Sequence, residues 1–81
     1  MNDNRWEKCA SKLLKAELAK RQISYPQLKE KLALIGIEKT TTDLTSKLSR
    51  GTFSAIFLLQ CLHAIGVKNM PLDETIFEPT D

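Results

Sequence analysis

The sequence predicts an all-α fold, a compact bundle of four to five short helices, from three observations. Apolar residues recur at steps of three and four, and no period-two strand pattern stands out. The only glycines, Gly36, Gly51 and Gly66, each follow a helical stretch and read as helix stops. The run from Gly51 to Val67 contains no Asp, Glu, Lys or Arg, so it is expected to form the core. The 81 residues make one domain at most, with residues 1–4 and 78–81 expected to fray.

The first helix is expected from Trp6 to about Lys20 or Arg21. Trp6, Ala10, Leu13, Leu14, Glu17 and Leu18 share one face. Lys8, Lys12 and Lys15 share another. The second helix starts at Ser24, which with Gln27 has the form of a capping box, and Pro26 is harmless in a first turn. Leu28, Leu32 and Ile35 form its inward face, and Gly36-Ile37 ends it. Thr40 with Asp43 starts the third helix, Leu44 and Leu48 face inward, and Gly51 closes it after Arg50. Thr52 or Ser54 caps the fourth. Phe53, Ile56, Phe57, Leu58, Cys61, Leu62 and Ile65 give that helix so wide an apolar arc that it is expected to be nearly surrounded. After a turn at residues 68–73, Pro71 or Asp73 opens a short helical turn. Leu72, Ile76 and Phe77 are expected to dock on the core.

Several chemistries find no support. Cys9 and Cys61 do not make a disulfide framework, and in apolar helical contexts they act as small hydrophobes. No metal-ligand spacing is present, and His63 is the single histidine. It reads as a partly exposed or core-edge side chain. No phosphate loop or nucleophile elbow occurs. Catalytic, metal and cofactor sites are therefore not expected, nor is an enzyme. The apolar run is shorter than a bilayer span and carries Gln60 and His63. With no secretion signal, the expectation is a cytoplasmic protein without a membrane partner.

Charge is unevenly placed. Asn4 to Arg50 carries eleven Lys/Arg against five Asp/Glu, whereas one Lys faces four acids after Arg50. That asymmetry fits a polyanion partner, or simply a solvated helical surface. With Leu44 and Leu48 inward at 100° per residue, Thr42, Asp43, Ser46, Ser49 and Arg50 point outward. Thr45 and Lys47 lie on the flanks. Such a short polar face lets a helix approach a groove closely, and Arg and Lys supply phosphate or guanine contacts. The N–H groups that open the second helix suit a phosphate. Two short helices of this polarity are what a helix-turn-helix needs.

The residues also carry a resemblance. Ile23-Ser-Tyr-Pro-Gln-Leu28 resembles the start of the second helix in phage-repressor-like (lambda repressor/Cro-like) helix-turn-helix proteins. Ser46-Lys-Leu-Ser-Arg-Gly51 resembles the end of their recognition helix, and Phe53 to Val67 their next helix. The chain departs from that pattern at Lys29, at Ser49, and in a Leu28-to-Gly36 stretch longer by about one helical turn. It resembles still more closely a family of small bacterial proteins known as a domain of unknown function. The matching residues are Trp6, Leu14-x-x-Glu17-Leu18, Ile23-Ser-Tyr25, Ile35-Gly36-Ile37, Lys47 to Ser54, and Gln60-Cys61-Leu62.

The repressor-like resemblance implies sequence-specific binding of double-stranded DNA by a small transcriptional regulator. The helix at about 41–50 would read the major groove. Tyr25 and Gln27 become phosphate or groove-edge contacts, and Thr42, Asp43, Ser46 and Lys47 base readers. Thr41 and Thr45 complete the set. Arg50 is either a backbone contact or a staple to Glu17 or Glu30 within the fold. A homodimer is expected, because one such small unit buries little DNA surface. The alternative is a protein-interaction module on the same scaffold.

Overall fold

Three of the helices start at a hydroxyl side chain, because each leaves backbone N–H groups that its own ladder does not use. The computed structural model describes residues 5–70, Leu72 and Phe77. Among them the chain forms four α-helices and no strand: α1 (Arg5–Lys20), α2 (Tyr25–Leu34), α3 (Thr41–Arg50) and α4 (Ala55–Ala64). Ser24 caps α2 through a full capping box. The Gln27 N–H donates to Ser24 Oγ at 3.3 Å, and the Ser24 N–H donates to Gln27 Oε1 at 2.8 Å. Thr40 Oγ1 accepts from the Asp43 N–H at 3.0 Å, and Ser54, not Thr52, accepts from the Phe57 N–H at 3.1 Å.

The helix ends are equally local. At α2, the Ile37 N–H reaches back to the Leu32 carbonyl and the Gly36 N–H to that of Ala33. This is the paired Schellman closure, and Val67 with Gly66 repeats it at the end of α4. The same closure ends α1 without a glycine. Ile23 bonds back to Leu18 and Gln22 to Ala19, with Gln22 at φ 56°. Gly51 ends α3 at φ 70°.

Packing is dominated by leucine. Leu14, Leu28, Leu32, Leu44 and Leu48 are fully buried, with Leu18, Phe57, Cys61, Leu62 and Ile65 around them. Each such side chain stabilises the fold by roughly 1.5–3 kcal/mol relative to exposure. Helix α3 packs on α1 and on α2, and α2 also packs on α4. The α1–α3 junction is unusually close. A Cβ placed on Gly51 would lie 1.9 Å from the Glu7 carbonyl oxygen, so only glycine lets the two backbones meet. One turn along α1, Ser11 Oγ donates to the Leu48 carbonyl oxygen at 2.6 Å. That carbonyl belongs to the last turn of α3 and has no acceptor role in its own helix.

Four sequence expectations are corrected. Helix α4 is not surrounded: Ile56 is 68% and Leu59 64% exposed, because α2 covers one side and no described element covers the other. Trp6 is 62% exposed rather than on the core face. It lies with its ring under the Arg5 guanidinium and edge-on to Phe77, at a centroid distance of 6.3 Å. Phe77 and Leu72 are themselves exposed and absent from the core cluster. Ile35 is also exposed, since it is the C-cap residue of α2 and no longer on its inward stripe. The helical turn expected from Pro71 or Asp73, and Ile76, lie outside the described residues.

Candidate nucleic-acid interface

Leu44 and Leu48 fix the orientation of α3. Both are fully buried, so the face they define is turned into the core. The opposite face follows from the helical repeat. Thr42, Thr45, Ser49 and Arg50 are exposed, while Thr41, Asp43, Ser46 and Lys47 are half-buried. No bulky apolar side chain lies on that face. At ten residues α3 is about 15 Å long.

The individual side chains are not equally available. Thr45 Oγ1 donates to the Thr41 carbonyl at 2.9 Å, so its proton serves its own helix. Lys47 Nζ stands 5.8 Å from the centroid of the Phe57 ring, which ties the flank of α3 to the first turn of α4. Asp43 has its N–H in the Thr40 cap and its carboxylate in the first turn, where the helix dipole favours an anion. Arg50 makes no hydrogen bond or ion pair with any described residue. The staple to Glu17 does not form, because Glu17 already has partners. Its carboxylate, only 2% exposed, accepts from Lys20 Nζ at 3.0 Å and from Arg21 Nη1 at 2.6 Å. Nor does Arg50 reach Glu30. Arg50 is exposed in the last turn of α3.

At the start of α2, Tyr25 is half-buried and packs against the core cluster. Gln27 is exposed, but its side-chain oxygen is taken by the Ser24 cap, leaving its amide N–H groups outward. The connector between α2 and α3 runs from Ile35 to Thr40. It is longer than the turn of about three to four residues in a typical helix-turn-helix.

A family model, the domain of unknown function DUF6471, matches residues 6–70. The chain belongs to that family. The DUF6471 match takes in α2, α3, α4 and nearly all of α1, and with them every candidate interface residue. No curated protein and no solved structure matches the chain.

Elsewhere in the DUF6471 region, reactive groups are dispersed or inert. No group of three His, Cys, Asp or Glu side chains is placed to hold a metal among the described residues. Cys9 and Cys61 are buried and free. Burial pushes the Cys61 thiol up from its ordinary value of 9.0 to about 12, against a weaker opposing pull from the Lys39 charge. A thiol so held is neutral and a poor nucleophile. His63 is exposed on α4. No described helix is long and apolar enough to cross a membrane. Sequence reasoning missed Ser11, which looked like one more polar surface position. Its i, i+3 step to Leu14 was the available signal.

Proposed function

We propose that this protein binds double-stranded DNA sequence-specifically as a small transcriptional regulator, with α2 and α3 in a repressor-like helix-turn-helix arrangement. The observation that carries the reading is the outer face of α3. It is polar, made mostly of short side chains, and held on a leucine anchor with an arginine at its end that pairs with no described residue. Inserted in a major groove about 12 Å wide, that face presents Thr42, Ser46 and Arg50 to base edges and phosphates. The Gln27 side-chain amide N–H groups, which the Ser24 cap leaves outward, hold the register on the backbone. Two copies on a palindromic site supply the contact area that one copy lacks.

The test is the double change Lys47→Glu with Arg50→Glu, assayed on a pool of random duplexes with helicity followed by circular dichroism. Loss of binding by a still-helical protein supports the reading. Retained binding rejects α3 as the reading element.

A second reading has its own observation. Ile56 and Leu59 leave an exposed apolar stripe on α4, which suits a protein-interaction module in which the DNA face is unused. Salt separates the two. Complexes built on phosphate contacts weaken steeply as salt rises, whereas apolar docking does not.

A further inference from the structure

Three lysines of α1 and one serine of α3 line a single open groove of about 490 Å³ between the two helices. Lys8, Lys12 and Lys15 stand at i, i+4 and i+7, the spacing that puts residues on one helical stripe. Ser49 closes the far wall, and Ala16 and Ala19 line the stretch beside Lys15. No acidic residue among those described lines the groove. Its walls are set rigidly. Ser11 ties α1 to the Leu48 carbonyl at 2.6 Å, and the Glu7 backbone abuts Gly51 one turn away.

Resting on the DNA reading, we infer that this α1–α3 groove is the track for the phosphodiester backbone of one strand, running beside the reading helix. Ser49 belongs both to the groove wall and to the outward side of α3, so the groove opens next to the face that meets the bases. A helix lying in a major groove has a sugar-phosphate strand along its flank, and on this flank the protein offers the ammonium groups of Lys8 and Lys15. From Lys8 to Lys15 the helix axis advances about 10 Å. That is the rise of about three successive nucleotides of one strand. The small alanine side chains let a strand approach, and the flexible lysine stems adjust each ammonium to a phosphate. The contacts are with phosphate alone, so they add affinity without sequence preference.

The experiment uses the full chain carrying Lys8→Gln and Lys15→Gln. Glutamine matches lysine in helix propensity, so α1 is retained. Binding to a pool of random duplexes is measured from low to high salt, and the enriched sequences are read out. The expected result is a slope of log affinity against log salt that is shallower by about 1.8, at about 0.9 per phosphate contact, with the same sequences enriched. The single change Lys15→Gln, at an exposed position, carries the same test at about half of that size. An unchanged slope overturns the groove assignment and leaves the DNA reading standing. A shallower slope together with an α3 variant (Thr42→Ala, Ser46→Ala, Arg50→Ala) that enriches the same sequences as the wild type supports the groove and rejects sequence reading by α3. A wild-type protein that binds no duplex overturns both.

Discussion

The Ser11 hydroxyl donates to the Leu48 carbonyl oxygen at 2.6 Å, in the buried junction between α1 and α3. Both groups lie where water cannot replace the missing partner. Ser11→Ala therefore leaves a buried carbonyl unsatisfied and is expected to destabilise the protein by about 1–3 kcal/mol. Urea unfolding checks this: the midpoint should fall while the slope stays constant. A midpoint within error of the wild type would show that the bond contributes nothing net.

Gly51 and Gly66 both have positive φ but should differ sharply when changed to alanine. At Gly66 the added Cβ meets open space, so the cost is the left-handed backbone alone, about 1–2 kcal/mol. At Gly51 the Cβ meets the Glu7 backbone, and α1 and α3 must separate. Overpacking of that kind adds about 1–3 kcal/mol. Parallel thermal melts of the two variants test the ranking. Equal losses would mean that the junction yields without strain.

Arg50 and Lys47 are adjacent cations with different duties. Arg50→Ala is expected to stay within about 0.5 kcal/mol of the wild type, since the side chain touches no described partner. Lys47→Ala removes the ammonium over Phe57 and is expected to cost about 0.5–1 kcal/mol. Chemical denaturation of both variants decides it. An Arg50→Ala protein that fails to fold would make the arginine structural.

Alkaline pH should destabilise the fold through Cys61. Its thiol ionises near 9.0 when exposed and near 12 when folded. Between those values the unfolded chain has lost a proton that the folded chain keeps, so stability falls as pH rises. Below 9 the contribution is complete. Unfolding free energy measured across this window in the wild type and in Cys61→Ala tests the assignment, with the variant expected to show the shallower alkaline decline. Parallel curves would place the alkaline loss elsewhere.

What the sequence made legible was local. Ser24 with Gln27, Thr40 with Asp43, and the Gly36, Gly51 and Gly66 stops each depend on neighbours within a few residues, and the helix bounds followed from them. The exposure of Thr42, Ser49 and Arg50 on α3 followed from one number, the helical repeat, once Leu44 and Leu48 were placed inward. Asp43 and Ser46, expected outward with them, are half-buried, and Thr45, expected on the flank, is exposed. Exposure of α4 was not legible. Its composition says how much surface prefers burial, but only the count and packing of the other helices says how much is covered. Trp6 failed for the same reason. Gln22 carries no glycine to announce its left-handed turn. Ser11 and the Lys47–Phe57 contact are long-range pairings, which periodicity within a single helix does not encode.

The two-leucine anchor of α3 has a consequence for how such a family diversifies. Thr42, Ser49 and Arg50 support no other part of the described fold. Exchanges there alter what the surface touches while leaving stability within about half a kcal/mol. On the proposed DNA reading, ligand preference and foldedness are set by separate residues of one ten-residue helix. Descendants of this chain are free to drift toward new partners without first acquiring a compensating change in the core.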